Sequence, residues 1–89
     1  MTGGNDPFDE IASLIQEARK PFPVALVRRL VRRAASHVTV TPELTDAVDR
    51  LNASIKTLSE VTDEIGGGAY NERRSALDAH ARLRILCRG

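Results

Sequence analysis

Hydrophobic residues recur every three or four positions in four separate stretches of the chain, with polar residues between them. This spacing places the apolar side chains on one face of an α-helix. The sequence therefore predicts an all-α fold, a small four-helix arrangement with one long central helix in a single domain over residues 1–89. The predicted helices cover about residues 7–20, 23–36, 42–65 and 70–86, after a flexible N-terminus over residues 1–5.

The residues between the hydrophobic stretches are typical of helix starts and helix ends, which supports these boundaries. Asp6 followed by Pro7 is typical of a helix start, because an aspartate caps free N–H groups and proline fits the first helical position. Thr41 and Pro42 repeat that signal before the third helix. Three consecutive glycines, Gly66–Gly68, end the third helix and predict a hinge before the fourth.

The third helix carries the longest hydrophobic stripe. Leu44, Leu51, Leu58 and Ile65 are seven positions apart, which is typical of a helix that packs along a seam. At 1.5 Å per residue the predicted helix is about 36 Å long, which is long for a monomer of 89 residues. We therefore expect part of this stripe to form a protein interface. The predicted interface residues are Leu44, Val48, Leu51, Ile55 and Leu58.

Composition gives a second reason to expect a protein partner. Only three residues, Phe8, Phe22 and Tyr70, are aromatic, and a single cysteine excludes an internal disulfide. Small cores supply only a few kcal/mol, and many domains of this size add stability through disulfides, metals or association. The sequence predicts either a homo-oligomer or docking on a larger protein.

The net charge of +1 conceals a strong segregation of charge along the chain. Residues 21–41 carry four arginines and no acidic residue, whereas residues 42–65 carry six acidic residues and two basic ones. Residues 1–20 are net acidic and residues 66–89 net basic. Alternating sign favours electrostatic matching, either within a helical bundle or across an interface with another protein.

The second helix has a complete arginine face opposite its apolar face. Its arginines are Arg28, Arg29, Arg32 and Arg33. They could pair with acidic residues of this chain or of a protein partner, contact nucleic-acid phosphates, or lie on an anionic membrane surface. The first of these interpretations is favoured, contact with nucleic acid is the alternative, and membrane binding is the least favoured.

A helix-turn-helix made of the second and third helices is disfavoured. The start of the third helix would enter the DNA groove, and it carries Glu43, Asp46 and Asp49, whose carboxylates repel phosphates. No aromatic residues alternate with the arginines, so the chain also lacks the stacking platform typical of single-strand binding. Any contact with nucleic acid would depend on the arginine face itself.

The sequence offers no combination of residues that predicts catalysis. His80 and Cys87 share a helical face but lie about 10.5 Å apart along the axis, too far to share a metal or a proton. His37 could join them only through a tertiary contact. The glycines at 66–68 lack the Lys-Ser/Thr of a phosphate-binding loop. We predict no enzyme, no catalytic or metal-binding residue and no cofactor.

The chain begins with no basic and apolar segment of the signal-peptide type, and no apolar run reaches the 18 to 20 residues of a transmembrane helix. These observations predict a cytoplasmic protein. The function predicted from the sequence is a non-enzymatic subunit for assembly or regulation that acts through amphipathic helix faces. The alternative is a small nucleic-acid-binding regulator that uses the arginine face.

Overall fold

The fold is known from a computed structural model, which describes residues 6–18, 22–62 and 69–88. All regular secondary structure in these residues is α-helical, which confirms the predicted fold class. The predicted flexible N-terminus over residues 1–5 and the predicted hinge Gly66–Gly68 lie outside the described residues. The helices are α1 (Pro7–Gln16), α2 (Val24–Ala35), α3 (Pro42–Val61) and α4 (Tyr70–Arg88).

The four helices form a bundle-like ring. Each helix packs against the next one in the chain, α4 also packs against α1, and the most extensive contact joins α3 to α4. Because α2 and α4 are not neighbours in this ring, they lie diagonally across it. The radius of gyration of 12.7 Å is close to the ~12 Å typical of a globular chain of this length.

Helix α1 starts as predicted and ends earlier. The Asp6 carboxylate accepts a hydrogen bond from the Phe8 backbone N–H at 3.0 Å, which caps the first turn. The helix ends at Gln16 rather than at residue 20, because the backbone of Glu17 leaves the helical region at φ −100° and ψ 21°. Beyond this point the buried carbonyl of Ala18 accepts a hydrogen bond from another part of the fold instead of continuing the helix.

That hydrogen bond also marks the end of α3. The helix begins with the Thr41 hydroxyl accepting from the Leu44 N–H at 3.1 Å, and it ends at Val61 rather than at residue 65. Thr62 is extended, with φ −74° and ψ 143°, and its hydroxyl donates to the Ala18 carbonyl at 3.1 Å. The tertiary hydrogen bond therefore accompanies an earlier helix end than the periodicity predicts.

The buried stripe of α3 follows an ordinary helical period rather than a strict heptad. Leu44 and Thr62 are both buried and lie five turns of 3.6 residues apart. The buried positions therefore follow the helical repeat and not the predicted spacing of seven residues. Val61, three positions after Leu58, is the second apolar position of a heptad and would be buried by that repeat, yet it is 43% exposed. The buried hydrophobic residues of α3 are Leu44, Ala47, Leu51, Ile55 and Leu58.

Most of the predicted protein-interface residues of α3 are buried within the chain. Leu44, Leu51, Ile55 and Leu58 are at most 4% exposed, because α3 uses this stripe to pack against the other helices of the same chain. These residues therefore belong to the core of this chain. Val48 is only partly buried and is the predicted interface residue with the most accessible position.

The other helices complete the core, and α2 keeps its arginines outside it. The buried apolar residues of these helices are Phe8, Ile11, Ile15, Val27, Leu30, Val31, Ala34, Ala76 and Leu83. All four arginines of α2 are exposed, in agreement with the predicted amphipathic pattern. Helices α2 and α4 also begin and end within two residues of their predicted bounds.

Polar contacts between α4 and the first turn of α1 close the ring. His80 is 7% exposed, and its Nε2 lies 2.7 Å from the Phe8 carbonyl oxygen. Since a carbonyl only accepts, Nε2 carries the proton and donates it. The two aromatic rings meet edge to face, with centroids 5.6 Å apart. At the end of α4, Arg88 forms an ion pair with Asp6.

Candidate docking groove between α2 and α3

A groove of about 640 Å³ runs along the surface between α2 and α3. The six-residue connector between these helices makes them antiparallel neighbours, and it lies at one end of the groove. The connector lines the groove with Ser36 and Val40, while the other end, between Arg28 and Asn52, is not crossed by it. The volume lies within the range of ~300–1,000 Å³ typical of ligand-binding clefts.

The floor of the groove is apolar because it follows the edges of two core stripes. Val31 on α2 and Leu44 on α3 are buried, and their neighbours one turn along each helix are only partly buried. The connector adds Val40, which is 77% exposed. The floor residues are Val31, Ala35, Val40, Leu44 and Val48.

The α2 side of the groove carries Arg28 and Arg32, which are one helical turn apart. Both are exposed, and in the described ranges no arginine of α2 has a carboxylate oxygen within 4.0 Å. Asp46, an acidic residue of α3, instead pairs with Arg50 on its own helix at 2.8 Å. The guanidinium groups beside the groove are therefore available to a ligand.

The α3 side of the groove is polar in a different way. Asp49 contributes a negative charge opposite the arginines, and Asn52 lies one turn farther from the connector. The Asn52 Oδ1 atom is buried and has no hydrogen-bond partner among the described residues, so it is not exposed to a ligand in the groove.

Only part of each predicted set of site residues meets in the groove. Leu44 and Val48 line it, whereas the other predicted interface residues lie in the core away from it. Arg28 and Arg32 line it as well, while Arg33 lines a different cleft. Val40 is not among the predicted site residues, although its place as an apolar residue directly before a helix cap is visible in the sequence.

The second cleft, of about 380 Å³, lies where α1, α2 and α4 meet. It brings His37 and Cys87 to one place, which sequence spacing could not show. Burial raises the pKa of the Cys87 thiol above its ordinary value of 9.0, which disfavours the thiolate that nucleophilic chemistry requires. His80 has its Nε2 engaged with the Phe8 carbonyl instead.

The described part of the chain contains no group of three or more histidine, cysteine and acidic side chains placed to hold a metal ion. None of its helices has both the length and the apolar character needed to cross a membrane.

Helix α4 carries a second set of exposed basic residues, Arg74, Arg82 and Arg84, and lies diagonally across the ring from α2. At the end of α4, Arg88 lines the same cleft as Arg33 of α2.

Comparison with known proteins gives no match: no protein family, no curated protein and no solved structure is significantly similar to this chain. The groove itself is therefore the basis for a functional assignment.

Proposed function

We propose that this chain is a non-enzymatic binding module that holds a protein partner in the groove between α2 and α3. It would act in the cytoplasm as a subunit for assembly or regulation. The observation that supports this proposal is an open apolar floor next to two arginines that have no acidic partner in the described residues.

The groove combines the types of residue that are found in protein–protein interfaces. Such interfaces combine a hydrophobic centre with a polar rim and are enriched in arginine. Here Val40 exposes most of its surface to water at the connector end of the groove, and Arg28 and Arg32 line the α2 side. Covering this valine removes apolar surface from water, while carboxylates of the partner neutralise the arginines.

The exposed arginines of α2 also favour a second candidate, a nucleic-acid-binding regulator. Four guanidinium groups on adjacent turns match a row of phosphates, and their binding would weaken steeply with salt. The apolar floor has no role in that contact, and Asp49 within the groove opposes it. We therefore favour the protein partner. Salt-sensitive gel shifts with DNA or RNA, reduced by arginine-to-glutamine changes in α2, would favour the second candidate instead.

The proposal is tested by photo-crosslinking in the native host. A photo-crosslinking amino acid replaces Val40 in the groove, and the matched control carries it at Ile85 on α4. Both residues are large, apolar and exposed, at 77% and 70%, so neither replacement should disturb the core. We expect a covalent protein adduct at position 40 that nuclease treatment does not remove and that Val48→Glu abolishes.

Several results would contradict the proposal. Equal adducts at positions 40 and 85 would show that the groove is not selective, and adducts lost on nuclease treatment would support the nucleic-acid candidate. The absence of any protein adduct at position 40 would overturn the binding module. Light scattering of the purified chain determines whether the partner is a second copy, since self-association raises the mass with concentration.

A further inference from the structure

We propose that the occupant of the groove is an acidic amphipathic helix of a different protein, which lies along the groove with its acidic flank against Arg28 and Arg32. This inference rests on the proposed function, because it names the partner of the same groove. It follows from the length of the groove and from its charges.

The length of the groove suits two turns of a helix. The lining residues extend over residues 28–36 of α2 and residues 44–52 of α3, which is about 12 Å along each helix at 1.5 Å per residue. A docked helix uses anchors at positions i, i+3 or i+4, and i+7, which span about 10.5 Å. Three such anchors can therefore lie on the apolar floor at once.

The charges specify a ligand helix that is acidic on the flank facing α2, because Asp49 on the α3 side of the groove repels carboxylates. Arg28 and Arg32 are four positions apart, so their side chains leave α2 on the same face, one turn from each other. Carboxylates one turn apart on a helix alongside α2 have the same spacing. Arginine–carboxylate contacts are charge-assisted and can be bidentate, which gives both affinity and alignment.

The α4 surface of a second copy of this chain fits the groove less well than an acidic helix does. Helix α4 exposes a large apolar residue, Ile85, but Arg82 and Arg84 are exposed beside it. Docking that surface against Arg28 and Arg32 would bring like charges together. A partner with acidic flanks avoids this repulsion.

The probe is a synthetic helical peptide with three leucine anchors at positions i, i+4 and i+7 and glutamates one turn apart on one flank. Its affinity for the full chain is measured by fluorescence anisotropy. We expect Arg28→Glu combined with Arg32→Glu to weaken binding by about tenfold or more. The matched control, Arg82→Glu with Arg84→Glu on α4, should leave the affinity unchanged, and circular dichroism verifies that all variants are folded.

A further measurement addresses charge. A peptide with lysines in place of the glutamates should bind the Arg28→Glu, Arg32→Glu variant better than the parent chain. Equal binding of this peptide to both chains would contradict the role given to the arginines.

Failure of this inference can be distinguished from failure of the proposed function. If photo-crosslinking at position 40 yields a protein adduct but the acidic peptide shows no arginine-dependent binding, the acidic helix is excluded and the binding module stands. If single-stranded DNA displaces the peptide at equal concentration, the acidic helix is not the preferred occupant. A self-adduct at position 40 would identify a second copy and also overturn this inference.

Discussion

The hydrogen bond between Thr62 and Ala18 allows a sharp test of the fold. It joins the end of α3 to the segment after α1, and both residues are 1% exposed. The change Thr62→Val replaces the hydroxyl by a methyl group of similar shape and leaves the Ala18 carbonyl without this donor. The change Thr62→Ser keeps the hydroxyl and removes a methyl group instead.

The two variants should differ in size of effect because they remove different interactions. Leaving a buried carbonyl without its donor costs about 1–3 kcal/mol, whereas deleting one buried methyl group costs about 0.5–1.5 kcal/mol. For a domain of this length, each kcal/mol lowers Tm by about 4–8 °C. We therefore expect Thr62→Val to be the more destabilising variant, although it introduces the more hydrophobic side chain.

Urea unfolding followed by circular dichroism measures the free energy of unfolding of the parent chain and both variants. The slope m should stay constant, so that a shift in midpoint reports stability alone. The reasoning would be refuted if Thr62→Val were as stable as the parent chain, or if Thr62→Ser were the less stable of the two. Either result would mean that the hydroxyl does not supply the expected stabilisation.

Three further predictions test the core, the first cap and the thiol. Leu51→Ala should lower the free energy of unfolding by about 2–5 kcal/mol in urea titrations, since Leu51 is fully buried; a loss below 0.5 kcal/mol would contradict that burial. Asp6→Ala should cost about 0.5–2 kcal/mol, and Asp6→Asn clearly less, because asparagine retains the cap and loses only the exposed pair with Arg88. Iodoacetamide should alkylate Cys87 more slowly in the folded chain than in urea at pH 8, because burial raises the pKa of the thiol and reduces the thiolate fraction; equal rates would contradict this.

Much of the fold could be predicted from local signals. The starts of α1 and α3 follow from a capping side chain and a proline, interactions that involve only adjacent residues. Their ends could not be predicted in the same way, because they coincide with a hydrogen bond between Thr62 and Ala18, 44 positions apart in the chain. Hydrophobic periodicity does not report such a contact.

The candidate site was less predictable than the helices. Periodicity identified the apolar stripe of α3 but not which helices would cover it, and Leu51 and Leu58 of that stripe pack inside the chain. The groove depends on the gap that α2 and α3 leave between their exposed edges. The buried oxygen of Asn52 results from that packing and has no signature in the sequence.

The contacts between α1 and α4, which close the ring, also constrain the order in which the chain can fold during synthesis. Arg88 and Asp6 are 82 positions apart, and His80 and the Phe8 carbonyl are 72 apart. The α1–α2 and α3–α4 contacts join consecutive helices, whereas α1 must wait for α4. Closing such a long loop is entropically costly and slow. While the ribosome is still making α4, Phe8 lacks its final cover, so the earliest-made helix is among the last to be protected from proteases and wrong partners.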